Sequence, residues 1–519
     1  MPKLQQFGIV SVNMGIKEDY PAIFLPDGVM SDGENSTFRY GRIERSKGRL
    51  KELVTAAAVK APAPDGNPIL KYHYHVKATT GTGYLCAFTK AHIYYWSPAT
   101  NAYVSKFTCA SNCTEWSTVS YNDKIVATNN VDKVLVWNCG AGNFVPIDDS
   151  TDGIEYSSGV YLTKAKCVAE YERYLVVGNV TEAGTNYPSR IRWCALGDEN
   201  NWLSGDASYG DLEGSDPLCG FGKKESRFYI FKEEHIHVIW LVSSSAVFNK
   251  VIFNTKVGSK AMNSIINSPD GKLYFFATDY TFREIDEGEI SSTIDPTVKE
   301  INPEYLHSIS AAYSSRYNHL LWSIPYGSSS TDNTLVVIYN KGRWEKRNVA
   351  VTSLGEFERS SGQKYTWDTL PYSSWDTWAW DIWNTTESGT DFPVVLAGDS
   401  VGNTFDFYGG ETDDTAAYTG YFVLATDLSR FKKAVTYKRL LLMQLYFKSG
   451  SGSVNIYVKR DSEIDWQSAG SVALTGTSEF VIKDLPCDYR AKNYYIKISG
   501  AVPFKFVGIF FKYFLAGDR

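Results

Sequence analysis

Two histidine pairs, His73 with His75 and His235 with His237, have the spacing that first suggests chemistry. Residues two apart on a strand point to the same face, so either pair could hold a metal edge-on. The alternative is a polar position on an exposed strand face, and that is the reading adopted. Cys109 and Cys113 form a pair with no second cysteine pair nearby, a weak pattern for zinc. A Gly-x-Ser-x-Gly elbow is absent, and no Cys stands beside a candidate His. Cys139-Gly140-Ala141-Gly142 is the closest approach to a phosphate-cradling loop, but it lacks the downstream Lys and a following helix. Ser268-Pro269-Asp270-Gly271 has the wrong Asp-to-Gly spacing for the Asp box of sialidases and reads as a hairpin corner. The sequence therefore assigns no catalytic residue, no metal ligand and no cofactor.

One charged run could touch phosphates or an acidic partner. From Arg39 to Lys51 the cations Arg39, Arg42, Arg45, Lys47, Arg49 and Lys51 face a single Glu44. The competing expectation is a hairpin leading into the first repeat, with its cations on the wet side. The chain as a whole carries a net charge of −6, which argues against a general clamp on nucleic acid. From Glu411 to Arg519 there are 15 Lys+Arg against 11 Asp+Glu, so residues 1–410 are acidic and the tail mildly basic.

The elements that would position these residues are strands. At 519 residues two or three domains are expected, and the 41 glycines mark the ends of apolar runs. Tyr84 to Trp96 is an apolar run, a polar break and a second apolar run ending in Trp; Lys124 to Trp137 repeats that order. Five more hairpins follow: Arg173–Trp193, Arg227–Trp240, Lys272–Ile285, Leu320–Tyr339 and Val394–Tyr408. Their ends are spaced by 41, 56, 47, 45, 54 and 69 residues without helical filling. Such a period predicts one four-stranded sheet per repeat, an all-β fold with six to seven β-propeller blades. Residues 1–80 are expected to supply an N-terminal segment with first or closing strands, and residues 81–417 the blades. Ala102–Thr108 and Ala246–Asn254 are examples of further blade strands.

Leu354 to Asp391 breaks the period. Trp367, Trp375, Trp378, Trp380 and Trp383 crowd there among Asp368, Asp376 and Asp381, and are expected to form an interface loop. Beyond residue 418 the rhythm changes again. Tyr437–Lys448, Ser453–Arg460, Phe480–Lys483, Asn493–Ser499 and Phe504–Leu515 predict a C-terminal antiparallel β-sandwich over 418–519. No stretch is long and apolar enough to span a bilayer, and Met1 to Met14 lacks a leader-like apolar run. The eight cysteines are accordingly expected to be buried free thiols of a chain made in reducing cytosol.

One segment points beyond fold. Arg190-Ile-Arg-Trp193-Cys194-Ala-Leu-Gly197-Asp198-Glu-Asn-Asn-Trp202 resembles a signature of propeller-type bacteriophage tail proteins, in which Arg-x-x-Trp-Ser-x-x-Gly-Asp-x-x-x-Trp closes a blade. Arg190, Trp193, Gly197, Asp198 and Trp202 match, while Cys194 stands where that pattern has Ser. The Trp-Asp-rich insert, Phe38-Arg-Tyr-Gly-Arg42 and the C-terminal strands are similar to the same family, the tail nozzle or tail hub (DNA-stabilisation) proteins of short-tailed phages. The resemblance implies a structural virion protein assembled in host cytoplasm. It implies a homo-oligomeric ring, usually a hexamer, below the head-to-tail adaptor or portal. That ring carries tail fibres or spikes and passes viral DNA through its lumen without sequence-specific binding. The acidic charge of residues 1–410 would suit a lumen that releases DNA. A glycan- or receptor-binding propeller of the tail is the alternative, a baseplate or capsid-attached protein another, and a propeller glycoside hydrolase the most distant.

Overall fold

The computed structural model describes residues 4–10, 14–51, 62–149, 152–242, 247–358, 393–428, 436–461, 463–476 and 478–515. Strands account for 56% of the chain and helix for 5%, so the protein is all-β. Seven small antiparallel sheets follow one another along the chain, each a meander of neighbouring strands. Sheet 1 runs from Ile69–Val76 to Ala102–Thr108, sheet 2 from Ser117–Tyr121 to Val145–Pro146, and sheet 3 from Ile154–Ser157 to Ser208–Asp211. Sheet 4 runs from Leu218–Lys224 to Phe248–Asn254, sheet 5 from Ile266–Asn267 to Gly288–Glu289, and sheet 6 from Ser310–Ser314 to Arg343–Asn348. Sheet 7 comprises Leu354–Phe357, Val394–Gly398 and Thr404–Gly410, and takes its fourth strand, Gly48–Lys51, from the other end of the chain.

Alternation explains how these sheets pack. Successive strand residues point to opposite faces, and here both faces are covered, so the middle strands read as continuous apolar runs. In sheet 2, Ile125 and Trp137 pack with Cys86 and Phe88 of sheet 1, while Val126 and Val136 pack with Leu162 and Leu175 of sheet 3. Val176 and Ile191 then meet Phe228 and Ile230 of sheet 4, whose Tyr229 and Phe231 meet Leu273 and Phe275 of sheet 5. Phe276 and Phe282 pack with Trp322 and Val337 of sheet 6, and Leu321 and Val336 with Val395 and Phe405 of sheet 7. The succession returns to its start, because Val394 and Leu396 of sheet 7 pack with Tyr72 and Leu85 of sheet 1.

Two larger antiparallel sheets complete the molecule. One holds Lys438–Lys448, Phe480–Ala491 and Lys505–Leu515; the other holds Gly420–Thr426, Ser453–Arg460, Gln467–Ala473 and Tyr494–Gly500. Leu440, Met443, Phe447, Phe506 and Phe511 of the first share one core with Phe422, Val454, Ile456, Ile496 and Ile498 of the second.

Six of the seven expected hairpins are the middle pair of a four-stranded sheet, and the hairpin Arg173–Trp193 forms the third and fourth strands of the five-stranded sheet 3. Three expectations are corrected. The hairpin Ser36–Arg39 with Arg42–Arg45 leads not into the first repeat but into the last, and it joins a larger sheet through Lys505–Leu515. Met30–Glu34 and Gln5–Val10 also join the larger sheets, so these are built from both ends of the chain. The segment assigned to an insertion opens with Leu354–Phe357, the first strand of sheet 7; the five tryptophans from Trp367 to Trp383 lie outside the described residues.

Gly48 sits where the closing strand meets the next turn, and a Cβ there would stand 2.1 Å from the Thr412 carbonyl oxygen. Gly48→Ala is therefore expected to destabilise the fold by about 1–3 kcal/mol through overpacking. Urea unfolding followed by tryptophan fluorescence would show a lower midpoint, whereas Gly140→Ala, which meets open space, would leave it unchanged.

Candidate functional site

The Arg190–Trp202 segment is the best-marked site in the sequence, and its geometry follows from the end of one strand. Thr185–Trp193 is the fourth strand of sheet 3, and its two arginines are held by charge. Arg190 donates to both carboxylate oxygens of Asp211 at 2.7 and 2.8 Å and to Glu182 at 2.8 Å. Its guanidinium lies between the rings of Tyr187 and Tyr209, 3.9 and 4.3 Å from their centroids. Arg192 donates to the other oxygen of Glu182 at 2.7 Å and lies 3.9 Å from the centre of the Tyr156 ring. Glu182 and Arg192 are both buried, so each needs the other. The hydrogen bonds from Arg190 hold the Asp211 carboxyl below its ordinary range.

The chain then turns into a clasp. Trp193 donates its indole N–H to the Asp206 carbonyl at 2.9 Å. At the position where the family pattern has Ser, the Cys194 thiol accepts the Leu175 N–H at 3.1 Å, the kind of bond a hydroxyl would also make. Gly197 has φ +76°, and its N–H reaches the Arg173 carbonyl at 3.0 Å. Asp198 caps the turn by accepting the Asn200 N–H at 3.1 Å. Trp202 is buried in the core between sheets 2 and 3 and donates to the Glu199 carbonyl at 2.6 Å.

Sheet 2 grips this clasp from its first hairpin turn. Tyr121 donates to the Arg173 carbonyl at 2.8 Å, Asn122 donates to the Gly197 carbonyl at 3.0 Å, and Lys124 pairs with Glu199. Burial opposes ionisation of Glu199, but the hydrogen bonds from Lys124, its own backbone and Asn122 outweigh that and hold its carboxyl below its ordinary value. Sequence reading missed Glu182, Arg192 and the Tyr121–Lys124 grip. Their only signal was the Arg190-x-Arg192 pair flanking Ile191 and Trp193 at the apolar end of a mostly polar strand, since an arginine buried there demands a carboxylate.

The basic stretch is turned inward. Arg39 stacks 4.2 Å from the centre of the Tyr317 ring, and Arg42 pairs with Glu44. Arg45, its side chain fully buried, donates to the carbonyls of Tyr418 and Glu411 at 2.9 and 2.7 Å and to the Glu411 carboxylate at 2.9 Å. Arg49 forks onto Asp413 at 2.6 and 3.0 Å and donates to the Ala350 carbonyl, while Lys51 stands 3.8 Å from Asp414. Lys47 is exposed. The stretch thus fastens the closing strand to the Glu411–Asp414 turn and leaves little charge for an outside anion.

The remaining candidates have structural partners as well. His75 and His237 are buried, which corrects their placement on an exposed face. His73 contacts the hydroxyls of Thr118 and Ser120 at 3.0 Å through its two ring nitrogens, and His75 contacts Ser120 at 3.0 Å. Burial pushes His73 down to about 3 and His237 to about 4, with nearby lysines adding to both shifts. His235 hydrogen-bonds Asp216 at 2.9 Å. The Gly140–Gly142 loop turns its carbonyls inward: Lys106 donates to those of Gly140, Ala141 and Gly142 at 3.2, 3.2 and 2.9 Å. A loop that presents carbonyls holds a cation, the opposite of a phosphate cradle. Among the described residues, no group of three or more His, Cys, Asp or Glu is arranged to hold a metal ion, and no helix is long and apolar enough to cross a membrane.

Compared with known proteins, the chain matches no family model, and no curated protein matches it.

Removing one member of the buried triad strands the others. Arg192→Ala is expected to cost about 3–5 kcal/mol in urea unfolding, because Glu182 would be left buried with half its compensation. Glu199, with its lowered pKa, stabilises the fold above its ordinary value of 4.5 and loses that contribution as pH falls through the lower folded value. Glu199→Gln should therefore flatten the acid limb of the stability profile below about pH 4.5 while lowering stability at neutral pH.

Proposed function

We propose that the chain is a structural virion protein, a tail nozzle or tail hub subunit built as a seven-bladed β-propeller that carries a β-sandwich. The carrying observation is the seven small sheets whose packing returns to its start and whose last member is completed by Gly48–Lys51. Propellers are commonly closed by such a borrowed strand, since radial repetition leaves only short edges. The Arg190–Trp202 clasp supports the family reading, because the matching residues act together to finish one sheet and lock it to its neighbour.

On this reading the protein works through shape. The propeller forms a rigid wall, and copies assemble as a ring, a hexamer in the family it resembles, beneath a portal or adaptor. The ring carries fibres or spikes and lets viral DNA pass without reading its sequence. No catalytic centre is required. The inward pairing of the basic stretch supports this, since a wall that must release DNA gains nothing from a free phosphate-binding strip.

One observation favours a second reading, a glycan- or receptor-binding tail component. One larger sheet carries Tyr421, Tyr457, Tyr495 and Lys497 on one face, with Lys459 and Lys497 both within 6 Å of the Trp466 ring. Aromatic faces of this kind stack on sugar rings.

Native mass spectrometry of the purified chain, alone and with portal-containing particles, separates the two. A ring of several copies formed on the particle supports the tail-channel role. A monomer that ignores the particle and binds on a glycan array supports the second reading. Deleting residues 360–385 is expected to leave a folded monomer, by circular dichroism and urea midpoint, with weaker ring assembly; an unfolded product would remove the interface role of that segment.

A further inference from the structure

We propose that Cys109 and Cys113 form a dithiol–disulfide pair, closing a disulfide within the connection between sheets 1 and 2 when the protein meets an oxidising thiol–disulfide couple. The five residues from Cys109 to Cys113 lie between Ala102–Thr108, the last strand of sheet 1, and Ser117–Tyr121, the first of sheet 2. Adjacent carbonyls at a single hairpin tip anchor both backbones: Cys109 N–H donates to Ala91 at 2.8 Å and Cys113 N–H to Lys90 at 2.9 Å. Within this frame the Asn129 amide reaches the Cys109 sulfur at 3.9 Å and the Cys113 thiol is directed toward the Thr89 carbonyl at 3.9 Å, while Cys113 and the Asp132 carboxylate both bear on the Cys109 thiol. Both side chains belong to the cluster around Trp116 and Trp137. Ala110 N–H donates to Asp132 at 2.9 Å, and Trp116 donates to the Thr89 carbonyl at 2.9 Å, so the frame is held on both sides. A disulfide needs its two Cα atoms within several ångströms of each other, which this anchoring favours.

Access selects this pair over its neighbours. Cys86, Cys139, Cys167, Cys194 and Cys219 are all buried, so no pair among them offers a partly exposed thiol to an oxidant. Cys109 is partly exposed and Cys113 buried, an order that suits one thiol to receive the oxidant and the other to resolve it. With oxidised glutathione as oxidant, the Cys109 thiolate attacks one sulfur, and the S–S bond breaks to release one glutathione thiolate. Cys113, giving up its proton, attacks the Cys109 sulfur of the mixed disulfide and releases the second glutathione. The protein loses two electrons and two protons, and one glutathione disulfide becomes two thiols. The contact with Cys113, burial and Asp132 all raise Cys109, so the reaction is expected to speed up as pH rises above neutrality.

Cys487, also partly exposed, points to the Leu440 carbonyl and serves as an internal control without a resolving partner. The full-length folded chain is incubated with oxidised glutathione, alkylated and digested with trypsin; Phe107–Lys124 then carries both Cys109 and Cys113 on one peptide. The expected result is that this peptide loses two hydrogens and takes up no alkyl group, while the Cys487 peptide carries a glutathione adduct or an alkyl group. In Cys113→Ser the glutathione should remain trapped on Cys109. A wild-type peptide with a lasting adduct on Cys109 and an alkylated Cys113 would overturn the proposal. So would full alkylation of both cysteines in a sample where Cys487 has reacted.

Discussion

The pairing of Gly48–Lys51 with Thr404–Gly410 is the contact on which the rest of the architecture depends. Each small sheet is two-sided, and either face left open would expose a row of apolar side chains to water. Six of the seven sheet-to-sheet cores are local in sequence and form between consecutive meanders. The seventh joins the two ends of the series through Tyr72, Leu85, Val394 and Leu396, and the borrowed strand covers the outer edge of the sheet that makes it. Closure carries the loop entropy of more than half the chain, so it must be reinforced by several contacts acting together.

The first 51 residues supply that reinforcement. They place strands in both larger sheets before reaching sheet 7, and so tie the two units through one covalent path. Polar contacts fix the path where apolar packing alone would let it slide. Buried Glu345 on the last strand of sheet 6 accepts Thr37 and the Phe38 N–H at 2.9 and 3.0 Å, and Lys346 beside it reaches Glu18 at 2.6 Å. Arg45 and Arg49 then pin the closing strand to the chain that enters the larger sheets. Paired buried charges of this kind add little net stability, but they make other registers costly.

The clasp between sheets 2 and 3 follows the same logic. Its arginines, carboxylates and tryptophans resemble the parts of an active site, yet the contacts are mutual. Glu182 is taken up by two guanidiniums, Asp211 by Arg190, Glu199 by Lys124, and both indoles by carbonyls. A catalytic group needs a free lone pair or proton facing a substrate, and these groups are turned toward one another.

The sequence by itself determined the repeat. Seven hairpins were legible because strands buried on both faces must be continuously apolar and their turns must be polar, whatever surrounds them. The strand Ala102–Thr108, and within a residue or two the strands Lys438–Lys448 and Lys505–Leu515, could be placed from alternation alone. Alternation carries no information about a partner hundreds of residues away. Only the tertiary structure decided that the basic run after Arg39 would close sheet 7, that Met30–Glu34 would join the C-terminal sheets, and that His75 and His237 would be buried. A charge in a sequence looks solvated until its counter-charge is found, and the partners of Arg45, Arg49 and Lys346 lie more than 300 residues from them. Periodicity is a local property of a strand, whereas pairing and burial are set by the whole chain.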